Sequence, residues 1–179
     1  MLCDGIRVSG YFDDNKGYEE LAVSTANKDW LAVLVHEFCH VKQHMKNTPL
    51  WKKCNRNMKA GRYSNNAITV FFNWLDGKRI RKEDAIKAGT ITRDMELECE
   101  RMGVKEISKW ELPINKNDFI NSANSYILFY NYCMKHRTWY NTKGPYQYKK
   151  IRECVSSEWM DNYDVLPENF ERYVSKYCI

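Results

Sequence analysis

Residues 28–46 read KDWLAVLVHEFCHVKQHMK, and this stretch decides the architecture of the chain. Its apolar side chains recur at three- and four-residue spacing, the pattern of a helix with one face packed on a core. They are Trp30, Leu34, Val35, Phe38, Val41 and Met45. The candidate N-terminal capping residues are Ser24, Asn27 and Asp29. The residues Asn47-Thr48-Pro49 are typical of a helix end. We therefore predict a core helix from Lys28 to about Lys46.

This helix carries the residues of a metal site. His36 and His40 are just over one helical turn apart, so both imidazoles lie on one face and can bind a single ion. Glu37 follows the first histidine, which places its carboxylate beside the ion, where it can take a proton from a metal-activated water. Zinc suits this chemistry because it accepts nitrogen and oxygen ligands and brings the pKa of its water to about 7. We predict zinc, with Glu37 as the general base.

A catalytic zinc needs a third protein ligand. His44 is separated from His36 by about 12 Å of helix rise, so one ion cannot easily reach both along with His40. The better candidate is ELECERMG, residues 96–103, in which Glu96 and Glu100 are one turn apart. We predict that one of these carboxylates binds the metal and the other accepts a ligand imidazole N–H. Read alone, the same stretch is also typical of a solvated acidic helix.

We expect this acidic pair to lie on a face of its helix distinct from the apolar side chains. The apolar face would contain Met95, Cys99 and Met102. Gly103 is a natural end for this helix, so we predict its range as Asp94–Gly103.

HEFCH followed 56 residues later by ELECERMG resembles the gluzincin class of zinc peptidases. It is most similar to a membrane-protease branch whose second motif is Glu-x-x-Ala-Asp, with Cys99 and Glu100 in the last two places. The resemblance implies that His36, His40 and Glu96 are the zinc ligands. It also implies that Glu37 is the general base and that Glu100 accepts a hydrogen bond from a ligand imidazole. Glu100 departs from that motif, since its side chain is one methylene longer than aspartate. The transmembrane helices of that branch have no counterpart here, because no run of about eighteen apolar residues occurs.

The whole layout also resembles small metallopeptidases encoded by bacteriophages, in which a hairpin and an HExxH helix precede a Glu-rich helix and an aromatic helix. This resemblance implies one zincin-like domain over residues 1–179, of the α+β class and mostly helical, with a small N-terminal β-hairpin. It implies a phage or viral protein in the host cytoplasm or the virion, with peptide or protein substrates and with virion or host proteins as partners. The N-terminal sequence MLCDGIRVSG lacks the pattern of a secretory signal, so we expect a cytoplasmic protein.

The other elements are predicted from periodicity and turn residues. Two β-prone stretches, Ile6–Phe12 and Glu20–Thr25, flank turn-forming residues 13–17 and predict a hairpin, whose edge could receive an extended peptide substrate. Residues 48–65 predict a loop with a short helical piece, and residues 67–75 either a strand or a buried helix. Further helices are predicted at Asn115–Tyr140, Tyr146–Met160 and Pro167–Tyr177.

Peptide hydrolysis also needs a hydrogen-bond donor for the oxyanion. Tyr126, Tyr130 and His136 on the aromatic helix are candidates, although each is equally explained as a core ring with a satisfied polar tip. We prefer Tyr126 as the catalytic donor because its neighbours are unusually polar for a buried helix: Asn121, Asn124 and Ser125.

Cysteine usage and charge restrict the function classes. The seven cysteines include no CxxC pair, which excludes a disulfide framework and a Cys-rich zinc finger and indicates reduced thiols.

The segment between Lys42 and Arg93 is strongly basic. It contains thirteen Lys and Arg and three acids, a local charge of 13 − 3 = +10. This segment is compatible with a nucleic-acid partner, and equally with a solvated face.

Three functions therefore stay open on the sequence. The first is a zinc metallopeptidase with no membrane partner. The second is a binding or virion-structural protein whose zinc site is closed by a fourth ligand, with Cys39, Cys99 or His44 as candidates. The third is a nucleic-acid-associated protease similar to the SprT-like group, which uses a third histidine in place of glutamate. Its phosphate contacts would be Lys52, Lys53, Arg56, Arg62, Arg79 and Arg81.

Overall fold

The computed structural model describes residues 2–3, 6–7, 9–14, 19–141 and 143–179. The described residues are mostly helical and include a small antiparallel N-terminal sheet, so this part of the predicted fold is confirmed. The helices are α1 (Trp30–Lys46), α2 (Pro49–Asn55), α3 (Ala67–Leu75), α4 (Lys82–Lys109), α5 (Lys116–His136), α6 (Lys149–Arg152) and α7 (Phe170–Tyr177), with a 3-10 turn at Pro145–Gln147.

The strands form antiparallel pairs: β1 (Leu2–Cys3) with β2 (Ile6–Arg7), β3 (Gly10–Asp13) with β4 (Glu20–Val23), and β5 (Met58–Ala60) with β6 (Tyr63–Asn65). The predicted N-terminal hairpin corresponds to β3 and β4, with Gly10 opposite Val23. Its first strand is shorter than predicted, because residues 6–7 pair with β1. Residues 15–17 of the predicted turn lie outside the described residues. The hairpin of β5 and β6 replaces part of a predicted loop, and its turn contains Gly61 at a φ of +61°.

The core helix α1 ends where the sequence predicts and is followed at once by α2. Asn47 takes a left-handed conformation at the end of α1, with a φ of 47°, so the chain reverses there. Thr48 then caps α2 by accepting a hydrogen bond from the Trp51 backbone N–H, with Pro49 in the first turn. After this tight connection, the Trp51 ring of α2 lies 6.1 Å from the His40 ring and 5.8 Å from the His44 ring.

The long helix α4 is the centre of the fold, and it packs against α1, α2, α3 and α5. The predicted helix Asp94–Gly103 is only its middle part. Residues 67–75 form helix α3, which settles the strand-or-helix alternative. The larger hydrophobic cluster is centred on α3, α4 and α5, and a smaller one joins α1, α4 and the start of α5: Val35, Cys39, Cys99, Ile107 and Phe119. Gly103 permits close packing there, since a Cβ atom at this position would lie 2.9 Å from the Phe119 ring.

The C-terminal region differs most from expectation. The predicted helix Tyr146–Met160 is wrong, because helix α6 ends at Arg152 and residues 153–169 contain no regular helix or strand. The last helix begins at Phe170, so Pro167 precedes it and does not occupy its first turn. Among the described residues, none of the helices combines the length and apolar character needed to cross a membrane.

Candidate metal centre

Three side-chain atoms from α1 and α4 converge in the small space between these helices. The Nε2 atoms of His36 and His40 lie 3.1 Å apart. The Oε2 atom of Glu96 lies 3.5 Å from the first and 3.6 Å from the second. His40 and Glu96 are each 8% exposed, so the carboxylate meets both imidazoles away from bulk water. The structure therefore brings together the three residues that the sequence predicts as metal ligands.

In the neutral imidazoles, hydrogen bonds on the far side of each ring leave these three atoms without a proton to donate. His36 Nδ1 lies 3.1 Å from Glu100 Oε1, and His40 Nδ1 lies 2.8 Å from Gln43 Oε1. Both acceptors favour a proton on Nδ1, so in the neutral rings both Nε2 lone pairs point towards Glu96. Glu96 Oε2 is the buried side-chain polar atom that lacks a hydrogen-bond partner within the described part of the chain. Converging lone pairs of this kind require a shared cation or an additional proton.

The donor set and its spacing fit zinc. Two imidazole nitrogens and one carboxylate oxygen are the ligand types of hydrolytic zinc sites. In a tetrahedral arrangement with bonds of about 2.0–2.2 Å, ligand atoms lie about 3.3–3.6 Å apart. The observed separations of 3.1, 3.5 and 3.6 Å are close to this range.

The charges of the site reinforce one another. Burial disfavours the imidazolium form of His36, but the carboxylates of Glu100, Glu37 and Glu96 outweigh it and raise the pKa of His36 to about 10. Burial also disfavours the charged form of Glu96, but the imidazoles of His40 and His36 lower its pKa below the usual range. The site thus favours a positive charge between the helices.

Cys99 also belongs to this region. One ring nitrogen of His36, one of His40 and the Cys99 Sγ all lie within 4.8 Å of one another, so this group could hold a metal ion. The Cys99 Sγ donates to the backbone carbonyl of His36 at 3.2 Å and lies 3.8 Å from His36 Nδ1. The expectation that Cys99 lies on a different face from the acidic pair is wrong. All three residues are buried on the side of α4 that packs against α1.

The side chain of Glu37 lies on the side of α1 that faces the N-terminal hairpin. A Cβ atom on Gly10 would lie 3.0 Å from the Glu37 Cγ and 2.7 Å from a Val33 methyl, so only glycine lets β3 approach this closely. Burial raises the pKa of Glu37, and the charges of His36 and His40 partly offset this effect. Its carboxylate is therefore in the electrostatic field of both imidazoles.

The oxyanion candidates form hydrogen bonds with other side chains. The hydroxyl of Tyr126 lies 3.2 Å from that of Tyr130, and the two rings are edge-on to each other. Burial and the charge of Glu96 raise the pKa of both phenols. No hydrogen bond links Tyr126 to the two imidazoles within the described residues. His136 is bonded to Glu171 at the far end of α5.

Two of the candidate fourth ligands are placed elsewhere. His44 pairs through its two ring nitrogens with Asp14 at 3.0 Å and Glu19 at 3.2 Å. It thus ties the N-terminal hairpin to α1. Cys39 is buried between α1 and α4, in the same small hydrophobic cluster as Cys99.

Gln43 is a residue of the site that the sequence analysis missed. It is completely buried and bonds to His40 through its side-chain oxygen at 2.8 Å. Its position three residues after His40 places it on the same helix face, and this spacing is the signal that could have identified it.

No family model, curated protein or solved structure matches this chain. The functional interpretation therefore depends on the geometry of the site.

Proposed function

We propose that the protein is a zinc-dependent metallopeptidase of the gluzincin kind, with a zincin-like domain. The observation that carries the proposal is the buried Oε2 atom of Glu96, which has no hydrogen-bond partner among the described residues and lies 3.5 and 3.6 Å from the two Nε2 atoms. A cation bound by all three atoms would satisfy the orphaned oxygen and both lone pairs.

We further propose Glu96, rather than Cys99, as the third ligand. Glu96 faces the Nε2 atoms of both histidines, whereas Cys99 contacts the His36 ring at Nδ1. One imidazole cannot offer both nitrogens to a single ion. Because Nδ1 of His36 is engaged by Glu100, its Nε2 is the atom left for a metal.

Bound zinc would supply Lewis-acid polarisation of the scissile carbonyl and a lowered pKa for the attacking water. Glu37 would take the proton from that water and pass it to the leaving nitrogen. Glu100 would hold the proton on His36 Nδ1 and orient the ring. We retain Tyr126 as the proposed oxyanion donor, since its hydroxyl lies in the field of Glu96.

The metal assignment is tested by comparing Glu96→Gln with Cys99→Ser. We expect about one zinc per chain in the unaltered protein, measured by elemental analysis. Glu96→Gln should weaken zinc binding by roughly a hundredfold or more in competition with a chromophoric chelator, because a neutral amide oxygen is a poorer ligand than a carboxylate. Cys99→Ser should change the zinc affinity by less than about threefold. The unaltered protein loaded with cobalt should lack a thiolate-to-cobalt charge-transfer band.

The opposite pattern would support the closed, structural site. A large loss of zinc in Cys99→Ser together with a thiolate band would make Cys99 a ligand and would contradict the proposed open coordination position. Failure of the unaltered protein to bind zinc would remove the proposal altogether.

Nucleic-acid association is a second candidate function, favoured by one feature of α2 and the β5–β6 hairpin. Residues 46–75 contain no acid and six cations: Lys46, Lys52, Lys53, Arg56, Lys59 and Arg62. All six are exposed, and none forms an ion pair with a carboxylate that the structure describes. Helix α2 also borders the metal centre, because the Trp51 ring lies 6.1 Å from that of His40. We propose that this cationic surface contacts phosphates.

The salt dependence of binding tests this second candidate. If all six cations contact a labelled single-stranded oligonucleotide, log K should fall with log salt at a slope of about −4, and neutralising three of them should reduce it to about −2. The test variant changes Lys52, Lys53 and Arg56 to glutamine. The matched control removes three exposed cations elsewhere: Lys105, Lys116 and Lys143. Absence of binding at low salt, or equal loss in both variants, would contradict the proposal.

A further inference from the structure

Gln43 has three hydrogen bonds that determine the orientation of its side chain. Its Nε2 donates to the backbone carbonyl of Met95 at 3.0 Å and to Glu98 Oε2 at 2.8 Å. Its Oε1 lies 2.8 Å from His40 Nδ1. Both partners of Nε2 can only accept, so the amide group must place its NH2 towards α4 and its oxygen towards His40. The hydrogen-bond partners therefore distinguish the amide oxygen of Gln43 from its nitrogen.

This orientation determines which nitrogen of His40 carries the proton. An amide oxygen can only accept, so the His40 nitrogen facing it must be N–H. In the neutral ring Nε2 is then the unprotonated atom, and it is the one that lies 3.1 Å from His36 Nε2 and 3.6 Å from Glu96. A ring turned the other way would present an N–H to these atoms and could not bind a metal there.

Thr48 and Glu98 fix Gln43 in turn. The hydroxyl of Thr48, just beyond the end of α1, donates to the same Glu98 oxygen that accepts from Gln43, at 2.5 Å. Glu98 is on α4, so this network connects the end of α1 to the helix that carries Glu96. The chain reversal at Asn47 brings Thr48 into reach.

We infer that Gln43 is a positioning residue that selects the metal-binding tautomer and ring orientation of His40, as Glu100 does for His36. The inference rests on the proposed metal centre and extends it to a residue outside the HExxH motif. Gln43 acts through His40 and does not touch the metal or the substrate.

The first test uses the unaltered protein and long-range 15N–1H NMR of the histidine rings. In the metal-free protein we expect the neutral His40 ring to carry its proton on Nδ1. A predominance of the Nε2–H tautomer would overturn the inference. This measurement needs no zinc, so it can fail or succeed separately from the proposed function.

The second test replaces Gln43 by methionine, which has a similar length but offers the imidazole N–H only a thioether sulfur, a weak acceptor. We expect zinc affinity to fall about 10- to 100-fold, the range found when the hydrogen-bond partner of a metal-bound histidine is removed. The His40 15N shifts should also show a mixture of tautomers. Gln147→Met is the matched control, because it makes the same change at an exposed position outside α1 and α4; its zinc affinity should change less than about threefold.

A Gln43→Met protein with full zinc affinity and a single Nδ1–H tautomer would overturn the inference, as would equal losses of affinity in both variants. If Gln43→Met does not fold, the tautomer of the unaltered protein still decides the question.

Discussion

Replacing Glu37 by glutamine is expected to abolish peptide hydrolysis and to leave zinc binding intact. Glutamine preserves the size of the side chain but cannot take a proton from water. General acid–base catalysis contributes about 10²- to 10⁴-fold to enzymatic rates, so we expect a loss of that order. Zinc content should not change, because the atoms that converge between α1 and α4 belong to His36, His40 and Glu96.

The measurement combines turnover of a mixed fluorogenic peptide library with elemental analysis of the same samples. Glu83→Gln serves as the control, since it makes the same change at an exposed position in the first turn of α4. A Glu37→Gln protein that keeps its activity would exclude Glu37 as the base. A variant that loses zinc in parallel with activity would show that the residue acts on the metal site itself.

The sequence predicts the local part of the site better than its tertiary part. The placement of His36 and His40 on one face follows from the helical repeat alone. The approach of Glu96 depends on how α4 packs against α1, and no periodicity within either helix determines that. The resemblance to gluzincins supplied the pairing of His36 and His40 with Glu96. The prediction that Cys99 lies on a different face from Glu96 and Glu100 was wrong, because residues 96, 99, 100 and 103 together face α1. Classifying Cys99 as apolar does not place it on a different helix face from its acidic neighbours.

The C-terminal region shows the limit of helix patterning. Residues 146–160 carry apolar side chains at spacings compatible with a helix, yet the helix ends at Arg152. The carbonyls beyond it bond to side chains of α5 instead. Asn121 Nδ2 donates to the backbone oxygens of Arg152, Val155 and Ser156 at 3.0–3.2 Å. Such long-range partners are invisible to a local pattern, since Asn121 is about thirty residues away.

Asn124 should be among the most sensitive positions for stability, and we expect Asn124→Leu to lower the free energy of unfolding by about 3 kcal/mol or more. The side chain is fully buried in α5. Its Nδ2 donates to the carbonyls of Ser156 at 3.0 Å and Glu158 at 2.8 Å, and its Oδ1 accepts from the Tyr163 hydroxyl at 2.5 Å. Leucine has a similar volume but makes none of these bonds, so the buried Tyr163 hydroxyl and the Glu158 carbonyl lose this partner and the Ser156 carbonyl keeps only Asn121. A buried group left unsatisfied costs about 1–3 kcal/mol.

Urea unfolding followed by circular dichroism measures this loss of stability. Two further variants, Asn117→Leu and Tyr163→Phe, test whether the loss comes from the hydrogen bonds of Asn124. Asn117→Leu makes the same change at an exposed position of α5 and should alter stability by about 0.5 kcal/mol or less. Tyr163→Phe removes the donor to Asn124 and its bond to the Met160 backbone N–H, and should cost about 1–2 kcal/mol. If Asn124→Leu is as stable as Asn117→Leu, the side chain does not hold residues 153–163 against α5. The absence of helix there would then need another cause, because the competing hydrogen bonds would contribute little to the folded state.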